Sequence, residues 1–371
     1  MVDIISDNII SPLGFSTEQN YTAAKAGVSA VKPFDGYCAA YIDNKMLDGT
    51  FGDVFQQNPN SFTKVEKSAM LSVKSALDSC DVDFSDPKTA FFFSTTKGNV
   101  ELLDNGDAVN PGVYLWNTAQ KISNYFGNNN TPIVVSNACI SGLSAMITAA
   151  RALKSHRIDT AVVTGVDMLS KFVVSGFSCL KALSQNPCRP FDIERTGLNL
   201  GEAAATVVLC CSDGSTKYPK LLDGYISNDA YHISSPSKTA EGSYQVLHKV
   251  VSDCTVADLA FINAHGTSTL YNDEMEAVAI DRAGLNNVPV NSLKAIFGHT
   301  LGAAGVLESV ISLHALMDNT VLKTVNYATP GVSKKINVVG GVNQSTNKSY
   351  FIKLISGFGG CNAAALFRKG E

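Results

Sequence analysis

The chain has 371 residues, of which 45% are hydrophobic, 17% charged and 8% aromatic. Charged residues fall below the roughly 25% of ordinary soluble proteins, which implies a large buried fraction and excludes intrinsic disorder. The formal charge of −4 offers no basic field, so non-specific nucleic-acid binding is excluded as well.

At roughly 100–200 residues per domain, the length fits two domains or one doubled one. The start, MVDIISDNIISPLG, carries acids where an export signal needs a basic region, so a cytoplasmic protein is expected. No apolar run reaches the roughly 18 residues of a membrane span; the longest, Ala203–Cys211, has the length of a strand. The nine cysteines are odd in number and show no CxxC or zinc spacing, which favours reduced, mostly buried thiols and no metal site.

In chain order, Ala-rich periodicity predicts a helix at Lys64–Ser79. A β-branched strand at Ile133–Ser136 runs into a small-residue helix at Cys139–Lys154. Strands follow at Thr160–Thr164 and Ala205–Cys210, and then a turn-rich break at Ser212–Pro219. Beyond it lie a strand at Leu259–Asn263, helices at Asp273–Arg282 and Ala303–Leu316, and a strand at Tyr350–Ile355. Strands alternating with helices predict an α/β fold with a largely parallel, covered sheet. The segments PIVVSNACISGLSAMITAA and VNSLKAIFGHTLGAAGVLESVISL share a strand–turn–helix rhythm, which suggests duplicated halves, residues 1–212 and 213–371.

Cys139 opens a helix whose first turn, Ser141, Gly142 and Ser144, is slim enough to admit a substrate. The positive end of the helix dipole should stabilise its thiolate and lower its pKa; an inert buried cysteine is the competing reading. His265 follows the Leu259–Asn263 strand in NAHGTST, at the edge where parallel α/β sheets bind ligands. Thr267 and Thr269 offer hydroxyls beside it, and Asp273 and Glu276 open the next helix. A histidine that merely caps the strand is the alternative. His299 sits among glycines in KAIFGHTLGAAG, five residues after Lys294. An unpaired buried charge costs several kcal/mol (about 3–5), so Lys294 needs an acid, and mid-helix Glu308 is the candidate partner. In SGFGGCN, flanking glycines leave the Phe358 amide free to form half of an oxyanion hole with that of Cys139; a plain glycine turn would look the same. One thiolate and two imidazoles suit acyl transfer followed by carbanion chemistry on a second thioester.

These segments resemble the thiolase-fold condensing enzymes, specifically the elongating 3-oxoacyl-(acyl-carrier-protein) synthases. SNACISG resembles their nucleophile elbow, NAHGTST their histidine loop, KAIFGHTLGAAGVLE their K-x-x-x-G-H-x-x-G-A-A-G-x-x-E block, and GFGGCNAAALF their closing turn. The likeness runs in order from Ile10 to Phe367. It implies a thiolase-like αβαβα arrangement of duplicated halves and a decarboxylative Claisen condensation with a malonyl-carrier thioester. Cys139 would be the nucleophile, and His265 and His299 would hold the enolate. Lys294, Glu308 and Asp273 would organise the site, with Phe358 and Phe177 gating it. Thr267, Thr269 and Asn362 would bind substrate, the two threonines through the phosphopantetheine arm that arrives on the carrier. No resident cofactor is implied. Lys64 and Lys67, one helical turn apart, fall where such enzymes often contact the acidic acyl carrier protein; a solvated helix face is the alternative.

The resemblance also implies a dimer pairing strands near IVVS, as a homodimer or with a related synthase or chain-length subunit. A silent chain-length subunit and a cysteine thioesterase are the alternative functions; Cys139 argues against the first, and the second leaves one histidine without a role. Departures include Gly201-Glu202-Ala203 for Gly-Glu-Gly, Ile140 after the cysteine, where it is expected to narrow the pocket mouth, and altered segments at 91–112 and Trp116–Phe126. The last two point to a specialised polyene or polyketide-like product.

Overall fold

The computed structural model describes residues 1–105, 110–212 and 214–371. Asp213, at the expected division of the halves, and residues 106–109 of the altered 91–112 segment lie outside the described residues. Each strand and helix anticipated from the sequence is present, with ends displaced by three residues at most.

Eleven strands form one continuous sheet. The first five in the chain are β1 (Val2–Ile10), β2 (Thr89–Ser94), β3 (Ile133–Val135), β4 (Thr160–Asp167) and β5 (Ala203–Cys211). The remaining six are β6 (Lys220–Asn228), β7 (Leu259–Asn263), β8 (Pro289–Asn291), β9 (Asn337–Val338), β10 (Tyr350–Gly357) and β11 (Cys361–Arg368). Their spatial order is β9-β8-β7-β10-β11-β6-β1-β5-β4-β2-β3, so each half keeps its strands together. Within this sheet the two sets of strands join where β1 meets β6, at Val2↔Leu221 and Asp3↔Lys220. A buried ion pair between Asp3 and Lys220 crosses that seam.

The expectation of a largely parallel sheet needs correction. Pairing is parallel at the two flanks, among β9, β8, β7 and β10 and among β4, β2 and β3. It is antiparallel throughout the middle, from β10 across β11, β6, β1 and β5 to β4. The connection Phe358–Gly360 shows the reason: three residues can close a hairpin, whereas parallel neighbours need a crossover of about a dozen.

Five layers follow from which helices touch which strands. The helix Lys64–Asp78, opened by a Thr63/Glu66 capping box, covers β1, β4 and β5 from outside. The helices Glu241–Val251 and Leu270–Arg282 pack on each other, and the first of them covers β6, β10 and β11. Between the two sheet halves lie the helices Ser141–Lys154 and Ala304–Met317, which contact strands of both and are buried almost all round. They can cross so closely only because Gly142 faces Gly302 and Gly305 faces Leu143. A Cβ on Gly305 would lie 2.2 Å from the Leu143 nitrogen. This crossing brings the start of one central helix, with Cys139, against the segment that enters the other, with His299.

Candidate active site

β3 leads through Ser136 to a strained elbow at Ala138, whose φ is +45°. Ser141 holds that elbow: its Oγ accepts from the Asn137 amide at 2.8 Å and donates to the Ala138 carbonyl at 2.6 Å. Cys139 is thereby presented at the helix start, 6% exposed. The expected lowering of its pKa is overturned. Burial pushes the Cys139 thiol up to about 11, and the charges of Lys294 and Lys97 and a hydrogen bond from the Phe358 amide offset this only in part. Desolvation outweighs the helix end because the sulfur lies inside the protein.

His299 places Nε2 3.0 Å from the Cys139 sulfur. Its Nδ1 accepts the Leu301 amide at 3.3 Å, which assigns the ring proton to Nε2 and makes it a donor toward the sulfur. His265 meets His299 edge-on, with ring centroids 5.0 Å apart. The Cys139 sulfur and one ring nitrogen each of His265 and His299 all lie within 4.8 Å of one another. Burial, reinforced by Lys294, holds both imidazoles well below the usual histidine pKa, so both are neutral. The His265 Nδ1 is buried without a hydrogen bond, a position better suited to a lone pair than to an N–H.

Behind the histidines lies a buried charge network. Lys294 pairs with Oε1 of Glu308. Lys353, fully buried, takes Oε2 at 2.5 Å and also donates to the Asn263 side chain at 2.7 Å and the Ala264 carbonyl at 3.2 Å. Burial opposes ionisation of Glu308, yet the two lysines hold its carboxyl below the usual range. The histidine loop is fastened from the other side. Glu276 accepts the amides of His265 and Gly266, each at 2.7 Å, and Asp273 accepts those of Phe191 at 2.7 Å and Ser268 at 3.1 Å. Burial raises Asp273 to about 6, and burial with the neighbouring Asp273 raises Glu276 to about 7.

The hairpin turn after β10 brings Phe358 over the sulfur. Gly357 packs on the Cys139 nitrogen, where a Cβ would stand 3.1 Å away. The Phe358 ring stacks on Phe177 with centroids 5.7 Å apart and an interplanar angle of 28°. A cavity of about 280 Å³ opens here, lined among others by Cys139, Phe177, His265, Thr267, His299 and Phe358. Such a cavity can accept a thioester at a thiol flanked by two backbone amides and two neutral N–H donors.

Comparison with known proteins decides the kinship. Residues 2–213 match the family described as "Beta-ketoacyl synthase, N-terminal domain", and residues 218–328 match "Beta-ketoacyl synthase, C-terminal domain". The chain belongs to the beta-ketoacyl synthase family. It is 28% identical to 3-oxoacyl-[acyl-carrier-protein] synthase 2 of Rhizobium meliloti, an alignment covering 99% of this chain and 98% of that one. Its fold matches a beta-ketoacyl synthase of Burkholderia phymatum with a TM-score of 0.89 at 24% identity, over 100% and 99% of the two chains. The ishigamide ketosynthase/chain length factor aligns at 0.87 and 21% identity, over 100% and 99%. The chain is thus an acyltransferase of the beta-ketoacyl synthase family with a thiolase-like fold.

In this beta-ketoacyl synthase several sequence assignments find other surroundings. Lys64 donates to Glu202 at 2.6 Å and to the Ile42 carbonyl at 2.9 Å, and Lys67 pairs with Asp48. Both cations are engaged within the chain, Lys64 by buried Glu202 and Lys67 by partly exposed Asp48, and the face of the Lys64–Asp78 helix that bears them is packed rather than solvated. Asn362 lines the cavity, but its amide is occupied by Ser243 at 2.6 Å, Ser356 at 2.8 Å and the Gly360 carbonyl at 3.0 Å. These bonds make it a fastening of the closing turn. Ile140 is fully buried in the central core and is not among the residues lining the cavity mouth. Thr267 and Thr269 line the cavity and share a hydrogen bond of 2.9 Å.

Sequence reasoning missed Lys353 and Lys97. Lys353 sits in the apolar run YFIKLI, where only its improbability as a buried strand residue signals a role. Lys97 is half-buried in the bend that follows β2, donates to Thr96 at 3.2 Å, and its charge acts on both Cys139 and His299. Among the described residues, no helix is long and apolar enough to cross a membrane.

Proposed function

We propose that this beta-ketoacyl synthase joins a Cys139-bound acyl group to a malonyl-carrier thioester in the assembly of fatty-acid, polyene or polyketide-like chains. The observation that carries the reading is the Cys139–His299 contact of 3.0 Å with His265 alongside.

In the first half-reaction the Cys139 sulfur attacks an acyl thioester. The oxyanion is held by the Cys139 and Phe358 amides, and the departing carrier thiolate takes the thiol proton. In the second, a malonyl thioester loses CO2, and its electron pair becomes an enolate whose oxygen accepts the Nε2–H of His265 and His299. The carbanion then attacks the Cys139 thioester, releasing a 3-oxoacyl carrier and the free enzyme thiolate. Neutral N–H donors suffice for each charge that develops, so the reading calls on no resident metal or prosthetic group.

Thr267 and Thr269 are proposed to hydrogen-bond the phosphopantetheine arm, and Phe177 and Phe358 to gate the cavity. The partner is proposed to be an acyl carrier protein, as the name of the Rhizobium meliloti relative states for that enzyme. Pairing with a second synthase subunit is proposed along β3, an edge strand whose Ile133 is 40% exposed. The second subunit is a copy of this chain or a chain-length factor like that of the ishigamide enzyme, and the reactions are placed in the cytoplasm.

The test is intact mass spectrometry after mixing with a panel of acyl carriers, followed by addition of malonyl carrier. Retention of one acyl group on Cys139 and release of 3-oxoacyl carrier with CO2 is expected. Release of free acid without malonyl carrier would replace this reading with thioester hydrolysis. No transfer at all would leave a silent subunit.

A further inference from the structure

Lys353 is an anomaly in the site. An ammonium group in the middle of a central strand, 0% exposed, needs a reason beyond holding the sheet together, since Lys294 already satisfies Glu308 through Oε1. Its four contacts converge behind the histidine loop: Oε2 of Glu308, Oδ1 and the backbone carbonyl of Asn263, and the carbonyl of Ala264, the residue before His265. With both lysines charged, the Lys294–Glu308–Lys353 cluster carries one surplus positive charge.

We infer that Lys353 is a positioning residue for the histidine pair: from behind the reacting face it supplies a second buried cation that, with Lys294, keeps His265 and His299 uncharged and available as N–H donors. This rests on the proposed condensation, in which two neutral donors hold the enolate oxygen. An imidazolium at His299 would carry a proton on Nδ1 and break the acceptor contact with the Leu301 amide. The groups that face the imidazoles set the balance. Lys294 and Lys353 oppose protonation of both imidazoles, Lys97 opposes it at His299 and His299 opposes it at His265. The carboxyls behind them are engaged elsewhere, Glu308 by the two lysines and Glu276 by the His265 and Gly266 amides, and Cys139 is neutral in its buried setting. Lys353 itself is drawn by burial down to about 8, so it carries its charge at neutral pH and below, the range where protonation of the histidines has to be opposed.

The experiment compares the intact protein with Lys353→Gln, which keeps an amide donor toward Glu308 and Asn263, and with Lys353→Met, which keeps neither. Histidine labelled at Cε1 is followed by NMR against pH, with His265 and His299 assigned by their alanine variants. In both Lys353 variants the two imidazoles are expected to titrate about one pH unit higher than in the parent. The acid limb of malonyl-carrier decarboxylation is expected to move upward with them. Superimposable titrations in folded variants would overturn the inference. Failure of both variants to fold would overturn it too, because Lys353 would then serve the sheet rather than the histidines. The titration needs no substrate, so absence of condensation in the parent would count against the proposed function alone.

Discussion

The His299 ring donates Nε2–H to the Cys139 sulfur at 3.0 Å while its Nδ1 is held by the Leu301 amide. In this tautomer His299 cannot remove the thiol proton; it can stabilise negative charge on sulfur or on a substrate oxygen. Cys139→Ala should therefore abolish the acyl adduct seen by intact mass. His299→Ala should still form that adduct but lose about 10²–10³-fold in malonyl decarboxylation, the usual cost of deleting one oxyanion donor. Equal loss of both steps would show that His299 acts as a base on Cys139 instead.

The thiol pKa gives a second expectation. Burial raises Cys139 to about 11, so at neutral pH the group is protonated and its thiolate fraction grows about tenfold per pH unit. Alkylation of Cys139 by iodoacetamide should accelerate with a slope near one from neutral pH toward pH 10. Since the positive charge of Lys97 lowers this pKa, Lys97→Met should alkylate more slowly at every pH in that range. A plateau near pH 8 would contradict the raised value.

These two expectations also show what the sequence could and could not disclose. Cys139, His265, Lys294 and His299 stand in short motifs whose chemistry is local: a helix start, two strand-end loops and their glycines. The fold class was equally legible, because strand and helix periodicity are properties of single segments. The thiol pKa was not, since it depends on burial contributed by the second half of the chain. The ion pairs of Lys64 and Lys67 escaped for the same reason: their acids, Glu202 and Asp48, come from other segments. The antiparallel centre of the sheet escaped too, because pairing between β6 and β11 or β1 and β5 is set by the packing of whole halves.

Glu276 carries a stability signature. Its folded pKa of about 7 lies above the roughly 4.3 of an unfolded glutamate. Between these values the folded state binds more protons than the unfolded one, so this contribution is fully present below about pH 4.3 and is lost as pH rises through about 7. Glu276→Gln removes the titration. The difference in melting temperature between parent and variant should change across pH 5–7, moving in favour of the variant as pH rises. A difference that is flat across that interval would refute the assignment.

The close crossing of the two central helices makes the sharpest mechanical prediction. A methyl group on Gly305 would sit 2.2 Å from the Leu143 backbone nitrogen, and one on Gly142 would sit 2.7 Å from the Gly302 carbonyl. Backbone cannot yield as a flexible side chain does, so the helices must separate. Gly305→Ala should cost about 2–3 kcal/mol, at the upper end for overpacking, and lower the melting temperature accordingly. Because one helix start carries Cys139 and the entry to the other carries His299, the same separation lengthens the sulfur–imidazole contact. Acyl transfer to Cys139 and decarboxylation should then fall together in protein that remains folded. Ala138→Gly is the complementary control: at φ +45° the glycine relieves left-handed strain, so acylation should persist with unchanged or higher thermal stability. If Gly305→Ala melted like the parent with both half-reactions intact, the glycine crossing would not be what holds the nucleophile against the histidine.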